Sequence, residues 1–210
     1  MCDGEVCLYF LPIEEKISTD DRIRKVIAEH LSDIHPADSI RVCRSQLGKP
    51  YLPQYPHIYL SVSHSGEWFV CAVSSQPVGV DLQEHTPLRG ETKETAIQRY
   101  CKIAQRFFHR QETEFILEDP DNHFFVVWSA KESYVKYTGR GMDDTYGDFC
   151  VVSESLYPQI SHLLRGEQIT WQAENVSFQM CGFDKNYTLC VCTSTPCSWK
   201  WHYKDPERTK

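Results

Sequence analysis

The chain has 210 residues, 41% of them apolar, 12% aromatic and 24% charged, with a formal net charge of −7. This composition supports one large domain or two small lobes with a real core, and it argues against disorder. The acidic balance disfavours a nucleic-acid binder, which normally carries a basic surplus, and no stretch approaches the ~20 apolar residues of a membrane span.

Residues 1–5 (MCDGE) are acidic and lack the basic start of a signal peptide, so a cytoplasmic enzyme is expected. Residues 6–11 (VCLYFL) read as a first strand. A helix is predicted over 19–31, capped by Ser18 or Thr19, with Asp20 and Asp21 at its positive end and an apolar stripe of Ile23, Val26, Ile27 and Leu31. Pro36, Pro50, Pro53 and Pro56 mark a loop-rich stretch around an edge segment at 40–44. The alternation of 58–63 and the apolar run 68–74, broken by Ser65-Gly66, make a hairpin; 78–82 is a further strand. Helices follow at 92–108 and 124–138, with a short helical turn at 112–117. The stripe of the long helix is Phe124, Val127, Trp128, Lys131, Tyr134 and Val135, and Gly139 and Gly141 end it. Strands are expected near 148–153, 168–173, 175–181 and 187–193, with a helix near 156–165.

This order predicts an α+β fold with antiparallel sheets. No identity-level repeat is present, and the two halves share only a loose order of elements. The ten cysteines include no CxxC pair and lie mostly in apolar runs, so buried free thiols in a reducing compartment are expected. Cys190 and Cys192 fall on one face of a strand and read as a core pair.

Four clusters carry chemistry. Lys49 sits in a Gly48-Lys49-Pro50 turn and, taken alone, is an ordinary turn lysine. Ser63-His64-Ser65-Gly66 ends a strand and either satisfies the turn or holds a phosphate. Asp81, in Val78-Gly79-Val80-Asp81-Leu82-Gln83, is a carboxylate on an apolar strand, costly unless paired or metal-bound. Glu132 and Lys136 lie one helical turn apart in W-S-A-K-E-S-Y-V-K; the plain reading is a surface ion pair of ~0.3–0.5 kcal/mol. Yet Glu132 borders the apolar stripe beside Trp128, which suits a metal ligand or a base. Asp81 and Glu132 offer the hard oxygens that Mg²⁺ prefers, while Lys49, Ser63, His64 and Lys136 supply the donors that a diphosphate requires.

The strings LGKP, SVSHSG, QPVGVDLQ, IAQRFFHRQE and WSAKESYVKYTGRGM together resemble the phosphopantetheinyl transferases of the surfactin-synthetase-activating type, over roughly residues 40–145. The resemblance implies two similar pseudo-symmetric lobes, each an antiparallel sheet with a packed helix, with the active site in the cleft between them. The expected division is residues 1–75, residues 76–196 and a mobile polar tail at 197–210. It implies transfer of 4′-phosphopantetheine from coenzyme A to a serine of an apo acyl or peptidyl carrier protein, by a monomer that needs Mg²⁺. By the resemblance, Lys49, Ser63 and His64 contact coenzyme A phosphates, and Asp81 and Glu132 hold Mg²⁺. Gln83 joins them where family members commonly carry an acid, which lowers the ligand charge and is expected to weaken Mg²⁺ binding. Glu132 is also the expected base, Lys136 faces the diphosphate and the leaving 3′,5′-ADP, and Lys131 assists with phosphate. A carrier helix is expected to dock near 99–108. Larger relatives hold the 3′-phosphate with a basic N-terminal segment, whereas residues 1–15 here contain no Lys or Arg. Two rivals stay open: a non-catalytic coenzyme A- or carrier-binding module, and a Mg²⁺-dependent nucleotide-diphosphate hydrolase.

Overall fold

A computed structural model describes residues 4–32, 37–141, 144–184 and 186–203. β1 (Glu5–Pro12) leads to α1 (Thr19–His30), β2 (Cys43–Arg44), β3 (Pro50–Tyr51), β4 (Tyr59–Ser65), β5 (Trp68–Ser74) and β6 (Val78–Glu84). Then come α2 (Lys93–Phe107), α3 (Arg110–Glu118), α4 (Pro120–Thr138), α5 (Ile160–Leu164), β7 (Ile169–Ala173), β8 (Val176–Phe183), β9 (Tyr187–Thr193) and β10 (Ser198–Tyr203). The strands form two four-stranded sheets, β10-β1-β5-β4 and β6-β9-β8-β7, and a small β2-β3 ribbon. Among the described residues the pairings are antiparallel except for β1 with β10. The fold is α+β. One wiring recurs: a strand, a helix and a hairpin, with the first strand beside the last, as β1-α1-β4-β5 and as β6-α4-β8-β9.

The layers follow from alternation along the strands. One face of the first sheet packs Tyr9, Leu60 and Phe69 on Ile23 and Ile27 of α1, whose start is capped by Ser18 accepting from the Asp21 amide at 3.1 Å. Its other face meets the second sheet, with Leu8, Phe10 and Val70 against Val80, Leu82 and Leu189. The outer face of the second sheet carries α4, through Val127 and Ala130 against Phe178, Met180, Cys190 and Cys192. Cys190 and Cys192 are thus core residues, and the described cysteines are free thiols. No described helix is long and apolar enough to cross a membrane.

β4 and β6 are edges of different sheets and lie side by side. Ser61 and Ser65 of β4 accept from the β6 amides of Val80 and Glu84 at 3.0 and 2.9 Å. Period-two spacing puts Ser63 between them, facing the same way.

Two expectations are corrected. Residues 148–153 form no strand: Val151 is buried, but its amide goes to Glu112 and its carbonyl accepts from the Trp171 indole, so side chains satisfy this backbone in place of a neighbouring strand. Part of the expected mobile tail is β10, parallel to β1, where Trp201 stacks on Phe10 and Phe183 and His202 on Tyr9. Residues 204–210 of that tail, and Pro36, lie outside the described residues.

β6 meets α4 backbone to backbone at Gly79. A methyl there would sit 1.9 Å from the Ser133 carbonyl oxygen and 2.5 Å from the Tyr137 amide. Neither group can move without breaking the helix ladder. Gly79→Ala is expected to cost about 3 kcal/mol or more in urea unfolding, and an unchanged midpoint would contradict this packing.

Candidate active site

The close approach at Gly79 sets what happens two residues on, where Asp81 projects from the same face of β6 toward the last turns of α4. Asp81 is 4% exposed. Its Oδ1 accepts from the Lys136 ammonium at 2.8 Å and from the Ser63 hydroxyl at 2.9 Å, and Lys136 also donates to Ser63 Oγ at 2.8 Å. Strand β4, strand β6 and helix α4 therefore each contribute one member of a closed triangle. The second carboxylate oxygen, Oδ2, is buried without a hydrogen-bond partner among the described residues. An orphaned carboxylate oxygen is expensive, and a cation bound there would relieve the cost.

Glu132 lies one turn before Lys136 and is half-buried. Its Oε1 accepts from the Tyr146 hydroxyl at 3.1 Å. Burial raises its pKa most, the negative charge of Asp81 raises it further, and Lys136 and Tyr146 oppose the rise. Two carboxylates thus share a desolvated space, and one of them keeps an oxygen unused. That donor set fits a hard divalent cation. Among the described residues no three His, Cys, Asp or Glu side chains converge, so such an ion would hold two protein carboxylates. This is the habit of Mg²⁺, which keeps waters and takes up substrate phosphates. Gln83 is next on the face of Asp81, half-buried, its amide nitrogen 3.4 Å from the Glu84 carbonyl. Beside Lys136 opens a cavity of about 200 Å³, lined by Arg44, Gly48, Ser61, Val135 and Gly141 among others.

The structure brings Ser63, Asp81 and Lys136 into contact and sets Glu132 beside them. His64 is exposed at the end of β4, on the face opposite Ser63. The other two predicted phosphate donors lie elsewhere. Lys131 is fully buried in an ion pair with Glu112, at 2.8 Å, and donates to the Phe149 carbonyl at 2.9 Å with its ammonium 3.8 Å from that ring's centroid. One residue before Glu132 means a rotation of about 100° on the helix, into the core stripe. Lys49 directs its ammonium to the carbonyls of Lys136, Tyr137 and Val78. Tyr146, which donates to Glu132, and Glu112, which pairs with Lys131, are neighbours that sequence reasoning missed.

Burial pushes Glu112 up and Lys131 down, each toward its neutral form, while their mutual attraction opposes both shifts. Glu112 is further held by the amides of His109 and Val151. Lys131→Met would strand Glu112 in the core. A loss of about 3–5 kcal/mol in denaturant unfolding is expected. A variant as stable as the parent would show that the pair is dispensable.

Comparison with known proteins agrees with this geometry. The sequence profile of the 4′-phosphopantetheinyl transferase superfamily matches residues 77–192, which carry Asp81, Glu132 and Lys136. The chain is 32% identical over 154 residues to the 4′-phosphopantetheinyl transferase Sfp of Bacillus subtilis (strain 168), covering 70% of this chain and 63% of that protein. It is 36% identical over 155 residues to another 4′-phosphopantetheinyl transferase of Bacillus subtilis, covering 72% of this chain and 62% of the relative. The L-aminoadipate-semialdehyde dehydrogenase-phosphopantetheinyl transferase of Homo sapiens is 33% identical over 132 residues, covering 57% of this chain and 40% of that protein. The chain thus spans about three fifths of the length of the two bacterial relatives. With the profile lying across β6, α4 and β9, the elements that build the carboxylate pair and its lysine, the chain belongs to the 4′-phosphopantetheinyl transferase superfamily.

Proposed function

We propose that this chain transfers the 4′-phosphopantetheine group of coenzyme A to a serine of an acyl or peptidyl carrier protein and releases 3′,5′-ADP. The observation that carries the reading is the orphaned Oδ2 of Asp81 beside a proton-hungry Glu132, with Lys136 and Ser63 closing the cluster.

In this reading Asp81 and Glu132 hold Mg²⁺, with the Gln83 carbonyl as a weaker neighbour, and the ion supplies charge neutralisation on the diphosphate when bound. Glu132 takes the proton of the carrier serine. The serine oxygen forms a bond to the phosphorus nearer the pantetheine, the bridging P–O bond breaks, and its electron pair leaves on 3′,5′-ADP. Lys136 stabilises that leaving charge, His64 donates to the phosphates, and Ser63 joins it only by turning its hydroxyl away from Asp81. Lys131 has no part in the transfer. The free thiols support action in a reducing compartment and the net charge of −7 disfavours nucleic acid; action in the cytoplasm as a monomer is part of the proposal.

The test is incubation with coenzyme A, Mg²⁺ and a panel of apo-carrier proteins. The expected result is the mass gain of one phosphopantetheine on the carrier serine, lost when Mg²⁺ is chelated. Release of 3′,5′-ADP without any carrier would point to hydrolysis. Tight coenzyme A binding with no transfer to any carrier would leave a binding module.

A further inference from the structure

Lys49 is held where no phosphate donor needs to be. Its turn is self-supporting: the Ser45 amide donates to the Lys49 carbonyl at 2.9 Å, the Lys49 amide donates to Ser45 Oγ at 3.1 Å, and β2 and β3 pair on either side. From this ribbon the side chain crosses to the second sheet and its helix. Its ammonium donates to the carbonyls of Lys136 at 2.5 Å, Tyr137 at 2.9 Å and Val78 at 3.3 Å. An ammonium has three donors, and three acceptors take them. The stem lies on the end of α4, where a methyl at Gly139 would sit 3.4 Å from Lys49 Cδ.

The acceptors are chosen ones. The last carbonyls of a helix have no partner within it and carry its negative end. Gly139, in the left-handed region at φ +71°, stops α4 and satisfies only the Val135 carbonyl, leaving those of Lys136 and Tyr137 to Lys49. The Val78 carbonyl opens β6 on its free side, the same edge at which Val80 and Glu84 meet the β4 serines. Lys49 therefore pins the end of α4 to the start of β6. Those two elements carry Lys136 and Asp81, and the backbone of Lys136 is gripped by Lys49 while its ammonium rests on Asp81 and Ser63.

We infer that Lys49 is a positioning residue, a clamp that fixes Lys136 against Asp81 across the β6–α4 junction, and not a phosphate ligand. To serve a phosphate it would have to surrender three partly buried carbonyls, each costly to leave unpaired.

Lys49→Met keeps the stem and removes the donors. Hydrogen exchange is measured on the peptide covering 133–139, with that of α1 as the internal reference. Exchange in the last turn of α4 is expected to quicken by ~10-fold or more, with α1 unchanged. Coenzyme A affinity by calorimetry is expected to stay within about 3-fold of the parent, because no phosphate contact is lost. These two measurements do not depend on turnover. Where transfer is measured, which rests on the function proposed above, kcat is expected to fall ~10–100-fold with little change in KM for coenzyme A. The double variant Lys49→Met, Lys136→Met should lose no more than Lys136→Met alone, since Lys49 acts through Lys136. A merely structural lysine would give losses that multiply. Unchanged exchange, or a coenzyme A affinity weakened ~10-fold or more, overturns the clamp. Quickened exchange in the Lys49→Met variant, with a parent that shows no transfer, would keep the clamp and remove the transferase reading. If the Met variant does not fold, Lys49→Gln, which retains two donors, carries the same comparison.

Discussion

Glu132→Gln is expected to reduce carrier modification by ~10³-fold or more and, at neutral pH, to raise the melting temperature. The loss follows from chemistry: an amide cannot take the serine proton and contributes no negative charge to a divalent ion. The gain follows from burial. Desolvation, and then the charge of Asp81, raise the folded-state pKa of Glu132 above its unfolded value. Folding therefore favours the protonated acid, and its contribution is fully present below the unfolded value of about 4.3. It is lost as pH rises through the folded value, so at pH 7–8 the ionised carboxylate burdens the native state. Gln keeps the shape, still accepts from Tyr146, and never ionises. The melting temperatures of parent and variant should differ at neutral pH and converge near pH 4. A variant that keeps most of its transfer activity, or that melts lower than the parent at pH 7–8, would remove Glu132 from this role.

How much of this was legible in the sequence differs with the kind of signal. The hairpin of β4 and β5, the cap at Ser18 and the run of α4 rest on local chemistry, and the chain obeys it. The facing of Asp81 away from Val80 and Leu82 was also legible from period-two alternation, and its meeting with a helix-borne acid and lysine from the chemistry of the clusters and the family resemblance. What failed needed distant partners. Val151 and Val152 look like a strand, but the tethers of Val151 are a glutamate 39 residues away and a tryptophan 20 residues away. β10 was mistaken for a loose tail because Trp199, Trp201 and Tyr203, alternating with Lys200 and His202, were weighed as polar sequence and not as a period-two pattern. Lys131 is the sharper lesson. Its place on the apolar stripe of α4 was read correctly, and that burial should have outweighed the phosphate role suggested by the neighbouring acid. No periodicity predicts Tyr146 beside Glu132. Lys49 was found as a residue of interest, but its acceptors, 87 and 88 residues on at the end of α4, exist only in the fold.

Asp81→Asn should uncouple the chain from Mg²⁺ while leaving it folded. In the parent, Asp81 gives the native state a charge-assisted contact with Lys136, worth about 1.5–3 kcal/mol in comparable cases. It also burdens the native state with a buried oxygen that nothing in the described chain satisfies. Asn keeps the shape, weakens the Lys136 contact to an ordinary hydrogen bond and puts an uncharged amide nitrogen where the orphaned charged oxygen was, so the loss and the gain offset in part and the melting temperature without ligands should move little. The ligand response should change sharply. Coenzyme A with Mg²⁺ should raise the melting temperature of the parent by several degrees, since whatever binds only the native state stabilises it by RT ln(1 + [L]/Kd). The variant should show only the part due to coenzyme A alone, and its transfer rate should fall ~10²-fold or more. Without ligands, the loss of the neighbouring negative charge should also let the Glu132 carboxyl titrate closer to the ordinary range. The Mg²⁺-dependent part of the melting shift separates a metal ligand from a purely structural aspartate, because a loosened fold would lower the ligand-free melting temperature and keep that response. A variant with the parent's Mg²⁺ response would show that the unused oxygen of Asp81 waits for something other than a divalent ion.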